Sequence, residues 1–201
     1  MTIRGDSSEY ELLRKWCDTL PFFEEPKSVT TCEVGVREGL GSKIIMMSLV
    51  PRIKKAEYQH YAIDPYNNLE YTHFDNHQQW KKDGKWTSEA PKYSNEMRDQ
   101  MVKDFAGDPH YKFFNMTDIE YMDIFNLSRT TYDLVFLDGP HTTKAILKES
   151  LWFAERSRKG SRIIIDDFNL CNFDLIKAAI SYWDFKVLES GKNKVCFQKE
   201  I

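Results

Sequence analysis

Apolar runs of strand length alternate with segments of helical periodicity along this chain, which is the pattern of an α/β domain. The segments predicted as helices are 8–20, 44–49, 94–105, 119–127, 141–156 and 173–182. The segments predicted as strands are 29–34, 61–63, 111–115, 132–137, 161–165, and a closing antiparallel pair at 185–188 and 194–198. We therefore predict a doubly wound, seven-stranded, mostly parallel sheet with an antiparallel C-terminal strand pair and helices on both faces.

Capping and stop signals set the expected ends of two helices. Ser94 is the predicted N-cap of the 94–105 helix. Pro140 suits the first turn of the 141–156 helix, and Lys159-Gly160 is its predicted stop.

Two of the predicted strands end in acidic residues. The run 132–137 leads into Asp138-Gly-Pro-His141, and the run 161–165 leads into Asp166 and Asp167. Because the carboxyl ends of parallel strands meet at one edge of a sheet, where α/β proteins bind their ligands, we expect these carboxylates to cluster there.

Length and charge favour one enzyme-sized domain. The 201 residues are predicted to form a single domain, 1–201, with residues 1–27 as an N-terminal helical cover. A net charge of -3 gives no general attraction to nucleic acid or to an anionic membrane. We therefore expect neither as a partner, and assembly into a homo-oligomer stays open.

The cysteines and the N-terminus indicate an intracellular protein. The four cysteines include no Cys-x-x-Cys pair, and we expect buried free thiols in a reducing compartment at Cys17, Cys32, Cys171 and Cys196. No signal-peptide core or membrane-length apolar run is present in the sequence. The expected location is therefore cytoplasmic.

A glycine-rich turn follows the first predicted strand. It contains Glu33, Gly35, Gly39, Gly41 and Ser42, and a helix pattern comes directly after it. Such a turn lets backbone approach a ligand closely and points free N–H groups at it. The spacing differs from Gly-x-Gly-x-x-Gly, which argues against NAD and favours S-adenosylmethionine. A glycine-rich turn without a ligand is the alternative.

Three further residues lie where such a fold contacts its cofactor. Asp64 ends the next strand, at the position that takes ribose hydroxyls, and its alternative role is to cap the turn before Pro65. Thr117 and Asp118 follow the third strand, at the expected adenine position. A helix N-cap at Thr117 or Asp118 is an equally good interpretation of that pair.

Residues 66–92 interrupt the alternation with a long polar and aromatic segment. Long loops in compact domains are usually lids or binding loops, and the aromatic content argues against simple disorder. We predict a substrate-side lid or a dimer contact. His73 and His77 lie four residues apart but lack the glutamate of the zinc-protease pattern, which favours surface residues.

Taken in order, these motifs resemble the class I S-adenosylmethionine-dependent methyltransferases, in particular the metal-dependent small-molecule O-methyltransferases. The resemblance covers residues 29–198, and it lies in the glycine-rich turn, Ala62-Ile-Asp64-Pro65, Phe136-Leu-Asp138-Gly-Pro-His141 and Ile163-Ile-Ile-Asp166-Asp167. It implies a Rossmann-like fold and methyl transfer from S-adenosylmethionine to a hydroxyl of a small molecule such as a sugar, a catechol or a natural product.

The resemblance also implies a divalent cation held by Asp138, Asp166 and Asp167, with magnesium as the first candidate and manganese or calcium as alternatives. Catechol-type relatives have Asp-Asn at the last two positions, so this chain carries an additional carboxylate. Clustered carboxylates repel and raise one another's pKa unless a hard cation neutralises them, which supports a metal. Such a metal could bind the acceptor oxygen and lower its pKa.

His141 is the predicted general base, together with Asp138 as the second catalytic residue. It lies three residues after Asp138, and the ordinary pKa of histidine, about 6.5, suits proton transfer at neutral pH. The alternative is a histidine that orients Asp138 or caps a loop.

Three other functions compete with this one. A catalytically silent scaffold could retain the fold, although acids stand at every expected position. An NAD-dependent nucleotide-sugar enzyme would need the Gly-x-Gly-x-x-Gly turn and usually a Tyr-x-x-x-Lys pair, and both are missing. A nucleic-acid methyltransferase would favour an Asn/Asp-Pro-Pro-Tyr signature and a basic excess, which are also missing.

Overall fold

The computed structural model describes residues 8–22, 26–53, 56–67, 74–75, 80–82, 85–87 and 93–200. Its helices are α1 Tyr10–Asp18, α2 Leu40–Leu49, α3 Asn95–Asp104, α4 Asp118–Ile124, α5 Thr143–Glu155 and α6 Phe173–Ser181. Its strands are β1 Ser28–Val34, β2 Glu57–Ile63, β3 Trp80–Lys82, β4 Lys85–Thr87, β5 Tyr111–Phe114, β6 Tyr132–Leu137, β7 Ser157–Ile165, β8 Phe185–Ser190 and β9 Val195–Lys199.

The main sheet has seven strands in the order β5-β2-β1-β6-β7-β9-β8. Its first five strands pair in parallel, and β9 pairs antiparallel with both β7 and β8. The predicted fold is therefore confirmed. The strand order reverses between β1 and β6, and open α/β sheets bind ligands outside the strand ends at such a switch point.

Apolar side chains bury both faces of the sheet. On one face, α1 and α2 supply the buried residues Leu13, Trp16, Ile45 and Leu49. On the other face, α5 and α6 supply the buried residues Phe153, Ile176 and Ile180. The central strand β6 is buried at every position, as expected for a parallel strand covered on both sides.

The α5 region differs from its prediction. Thr142 is the N-cap, because its side chain accepts a hydrogen bond from the backbone N of Ala145 at 3.1 Å, and Pro140 consequently lies outside the helix. The helix ends at Glu155, so Lys159-Gly160 is not its stop but part of β7. Pairing between β7 and β6 shifts register in this part of the strand, and Gly160, at φ 84°, accommodates the irregularity.

The other helix predictions agree closely with the structure. Ser94 caps α3 as predicted, by accepting from the backbone N of Met97 at 3.2 Å. Of the two candidate caps before α4, Thr117 is the N-cap and forms a capping box with Glu120. The cysteines are free, and all are buried except the half-buried Cys171.

The N-terminal helix and the 66–92 segment are described in part. Helix α1 packs on α2, as a cover of that face. Within 66–92, strands β3 and β4 form an antiparallel pair, while His73 and His77 lie outside the described residues. The role of this segment as a lid or dimer contact stays a prediction. No helix among the described residues has both the length and the apolar character needed to span a bilayer.

Candidate functional site

A cavity of about 680 Å³ lies at the carboxyl ends of β1, β2, β6 and β7. Its volume falls within the usual range of small-molecule and cofactor sites. Most of the predicted site residues line it: Glu33, Gly35, Gly41, Asp64, Thr117, Asp118, Asp138, His141, Asp166 and Asp167. Gly39 and Ser42 are not among the lining residues, so direct cofactor contact by these two is not supported.

The glycines of the β1–α2 turn make room for protein atoms. Gly35 has φ 85°, and a Cβ there would stand 2.1 Å from the carbonyl oxygen of Asp138. A Cβ on Gly41 would stand 2.0 Å from Oε1 of Glu33. Gly39 is the N-cap residue of α2 at φ 85°. The turn thus brings the ends of β1 and β6 together at the cavity wall.

Glu33 is the first member of a chain of buried hydrogen bonds that leads away from the cavity. Its carboxyl group accepts a hydrogen bond from the Ser42 hydroxyl. The chain continues through His60 to Thr31, with distances of 2.9 Å from Ser42 Oγ to His60 Nε2 and 2.8 Å from His60 Nδ1 to Thr31 Oγ1. Burial raises the pKa of Glu33 to about 8 and lowers the pKa of His60 to about 3.

Asp64 holds the glycine-rich turn in place. Its Oδ2 accepts from the backbone N of Val36 and of Arg37 at 2.9 and 3.0 Å. Its Oδ1 accepts from the backbone N of Tyr66 at 3.0 Å, so the turn-capping role is present in the structure. Burial raises the pKa of Asp64, while the backbone donors oppose this shift. Contact with ribose hydroxyls stays a prediction.

At the other end of the cavity, Thr117 and Asp118 begin α4. The Thr117 hydroxyl donates to Oε2 of Glu120 at 2.9 Å and accepts from the Glu120 backbone N at 3.2 Å. Burial raises the pKa of Asp118, and it also raises the pKa of Glu149, which lies close to Asp118. The helix-capping interpretation of Thr117 is correct, and Asp118 is left as the candidate for adenine contact.

The predicted acidic cluster is present. Asp138, Asp166 and Asp167 all line the cavity. Burial first and then the Asp166 carboxylate raise the pKa of Asp138 well above its ordinary value. Burial and Asp166 also raise the pKa of Asp167 to about 6. Asp167 has φ 46°, a strained backbone conformation for a residue with a Cβ.

Lys194 is the member of this cluster that the sequence interpretation missed. Its side chain is 0% exposed, and its Nζ lies 2.6 Å from Oδ2 of Asp166. The sheet register explains the contact, because the antiparallel pairing of Ile165 with Val195 brings the flanking residues Asp166 and Lys194 opposite each other. The cluster therefore already contains a cation.

His141 is buried beside the acidic cluster, before α5 and not on its first turn. Its Nε2 lies 3.8 Å from Oδ1 of Asp138 and 3.9 Å from Oδ2 of Asp167. The ring stacks on Phe74 with centroids 5.9 Å apart. Burial lowers the pKa of His141 to about 4, and the Asp166 carboxylate opposes this shift. The imidazole is therefore neutral at pH 7, and it is a weaker base than an exposed histidine.

The arrangement does not fit the predicted metal. Oδ1 of Asp166 accepts from the Asp167 backbone N at 2.9 Å, and Oδ2 is engaged by Lys194. Across the described ranges, no group of three or more His, Cys, Asp or Glu could hold a metal ion. The site at Asp138, Asp166 and Asp167 stays a prediction that this geometry does not support.

The sequence and the fold were compared with known proteins. The profile of the family described as "Methyltransferase domain" matches residues 32–168, which is more than half of the chain. The chain therefore belongs to this methyltransferase family. Among curated proteins, no sequence matches it.

Solved methyltransferases have the same fold. The O-methyltransferase TomG from Streptomyces achromogenes, in complex with S-adenosylmethionine, aligns with TM-score 0.57 and 10% identity over 99% of this chain and 82% of its own. The calicheamicin methyltransferase CalS11 aligns with TM-score 0.56 and 11% identity over 94% and 76%.

A third structure is MycE of the mycinamycin pathway, in complex with Mg and S-adenosylhomocysteine. It aligns with TM-score 0.56 and 15% identity over 95% of this chain, which spans about half the length of MycE (48%). At these identities the likeness establishes the fold, and the predicted class I methyltransferase resemblance is confirmed.

Proposed function

We propose that this methyltransferase uses S-adenosylmethionine to methylate a hydroxyl group of a small molecule. The observation that carries the proposal is the position of His141, a neutral buried imidazole that lines the cavity beside Asp138 and Asp167. An oxygen acceptor must lose its proton during methyl transfer, and a neutral imidazole in the cavity is a group that can take it.

The cofactor half of the cavity is assigned to the ends of β1 and β2. Glu33, Gly35, Gly41 and Asp64 would hold the cofactor, since carboxyl groups suit its ribose hydroxyls and its ammonium group. Asp118, at the first position of α4, would contact the adenine ring. When bound, the cofactor supplies a methyl group on a sulfonium, whose sulfur leaves with the electron pair of the broken carbon–sulfur bond.

The acceptor half is assigned to the ends of β6 and β7. The acceptor hydroxyl would give its proton to Nε2 of His141 while its oxygen forms the new bond to the methyl carbon. Asp167, with a carboxyl oxygen 3.9 Å from Nε2, would stabilise the resulting imidazolium, and Asp138 at 3.8 Å would add to this where it is ionised. Holding acceptor and methyl donor in line accounts for most of the remaining acceleration.

The shape and lining of the cavity favour a small molecule. Its lining includes the aromatic side chains of Tyr10, Tyr66, Phe74 and Tyr93. Two of the solved neighbours are named O-methyltransferases: TomG, and CalS11 as a TDP-rhamnose 3'-O-methyltransferase. A divalent ion is left out of this proposal, because the carboxylate that would be its central ligand is engaged by Lys194.

Two measurements test the proposal. Calorimetry with S-adenosylmethionine should show binding to the wild-type protein, and labelled cofactor should methylate at least one member of a panel of sugars, catechols and hydroxylated natural products. His141→Gln should keep cofactor binding and lose turnover. His110→Gln, at a half-buried histidine that does not line the cavity, is the matched control and should keep both.

Two results would contradict the proposal. Cofactor binding without transfer to any acceptor would favour the catalytically silent scaffold. Full turnover by His141→Gln between pH 6 and 9 would leave oxygen methylation without its base.

A further inference from the structure

A buried ammonium group stands inside the acidic cluster. The Lys194 side chain is 0% exposed, and its Nζ lies 2.6 Å from Oδ2 of Asp166, itself 3% exposed. The same Nζ lies 5.3 Å from the ring centroid of Phe136 and 5.5 Å from that of Tyr10. Two aromatic faces and a carboxylate thus surround the cation, which is an arrangement that stabilises a charge away from water.

The backbone that carries Lys194 is fixed from several sides. The Glu9 carboxylate accepts from the backbone N of Lys192, Asn193 and Lys194 at 2.8, 2.7 and 3.1 Å. The carbonyl oxygen of Lys194 accepts from the backbone N of Gly191 at 2.7 Å. The next residue, Val195, pairs with Ile165 in the sheet. The ammonium group is therefore held in position by the fold.

This position overlaps the one that a metal would need. A magnesium ion binds carboxylate oxygens at about 2.0–2.1 Å and keeps a near-octahedral shell of oxygen ligands. Both Asp166 oxygens are engaged: Oδ2 has Lys194 Nζ at hydrogen-bonding distance, and Oδ1 accepts from the Asp167 backbone N. An ammonium group offers only donors and cannot itself bind a metal. An ion at Oδ2 would compete with the lysine for that oxygen and would place a second positive charge next to the buried ammonium group.

We propose that Lys194 occupies the place of the divalent ion and that methyl transfer by this protein needs no metal. The part of this inference that concerns methyl transfer rests on the proposed function. The part that concerns metal binding does not, because it can be measured without turnover. Lys194 acts as a positioning residue: it neutralises Asp166, and it keeps the carboxylates of the cluster in place beside His141.

Metal titration tests this without reference to turnover. The chelator-treated wild-type protein, titrated with Mn²⁺ and followed by electron paramagnetic resonance, should show no ion bound at the cluster. Lys194→Met removes the ammonium and keeps the volume, and it should gain Mn²⁺ binding. Adding Asp138→Asn to Lys194→Met should abolish that gain. Lys192→Met, at an exposed position in the same turn, is the matched control and should behave as the wild type.

Activity gives the second measurement. Wild-type turnover should be unchanged by a chelator. The turnover of Lys194→Met should fall by about 10- to 100-fold, the range found when a residue that orients the groups of a site is replaced. Lys194→Arg keeps a cation and should retain more turnover than Lys194→Met. If Lys194→Met does not fold, the wild-type titration and the chelator assay still decide the question.

Specific Mn²⁺ binding by the wild type that Asp166→Asn abolishes would overturn the proposal, and so would turnover lost to a chelator and restored by Mg²⁺. The two proposals fail separately. If no acceptor is methylated, the proposed function fails while the Mn²⁺ titration still tests Lys194.

Discussion

Nε2 of His60 lies 2.9 Å from Oγ of Ser42, deep beneath the cavity wall. The Ser42 hydroxyl also serves the Glu33 carboxyl, so a single side chain links the cavity to a histidine on β2. Because buried polar groups are costly when they lose a partner, this connection gives a direct test of the network.

Ser42→Ala should lower the free energy of unfolding by about 1–3 kcal/mol, because it removes the hydroxyl that pairs with Oε2 of Glu33 and with Nε2 of His60. Urea unfolding measures the change. The matched control is Ser48→Ala on the same helix, since the buried Ser48 hydroxyl has no hydrogen-bond partner among the described residues. Equal losses in both variants would contradict the prediction.

The raised pKa of Glu33, about 8 against an ordinary value of 4.5, predicts a pH dependence of stability. The folded protein holds the proton more tightly than the unfolded chain, so this stabilisation is complete below pH 4.5 and is lost as the pH rises to about 8. Glu33→Gln mimics the protonated form of Glu33. Its free energy of unfolding, relative to that of the wild type, should therefore increase as the pH rises from 5 to 8.

Unfolding free energies of both proteins at pH 5, 6, 7 and 8 check this expectation. Glu57→Gln, at the exposed start of β2, should leave the pH profile of the wild type unchanged. Parallel profiles for Glu33→Gln and the wild type would show that Glu33 ionises normally.

Two glycines with the same backbone conformation allow the cost of a steric clash to be distinguished from the cost of backbone strain. Gly35 and Gly107 have φ 85° and 84°, but a Cβ would meet Asp138 backbone at 2.1 Å in one case and nothing within 4 Å in the other. Gly107→Ala should cost about 1–2 kcal/mol, the cost of the left-handed conformation. Gly35→Ala should cost clearly more and should also abolish cofactor binding in calorimetry. Similar costs at both positions would show that the contact with Asp138 relaxes easily.

Glu9 should control the mobility of the turn between β8 and β9. Glu9→Ala removes the acceptor of the backbone N–H groups of Lys192, Asn193 and Lys194. Hydrogen exchange at these amides should accelerate by at least about tenfold, as expected when a local hydrogen-bond network is opened. The control is Glu11→Ala, at an exposed position of α1, the helix for which Glu9 is the N-cap residue. This variant should leave the exchange of the three amides unchanged.

Features encoded by local patterns could be predicted from the sequence. The strands of the sheet, their acidic ends and the glycine-rich turn each depend on short runs such as 132–137, whose composition allows few alternatives. The Thr117 cap could be predicted only as one of two interpretations, because hydrogen-bonding side chains stand at both Thr117 and Asp118.

Features that depend on distant contacts were not predicted. Lys194 is the polar start of a strand by its pattern, and it is buried only because β9 inserts between β7 and β8. His60 lies in an ordinary strand pattern, and its partners come from α2 and β1. The observed start of α5 differs from the predicted one because the Thr142 side chain caps the helix, which places Pro140 before its first turn.

The insertion of β9 between β7 and β8 also sets the order in which the site is completed. During synthesis from the N-terminus, Asp138 and Asp166 emerge before Lys194, so a nascent chain carries the acids of the centre without their counter-charge. The strand that closes the sheet brings the lysine with it. The pairing of β9 with β7 and β8 and the neutralisation of the acidic cluster are thus one event. A chain that ends before β9 would lose both together.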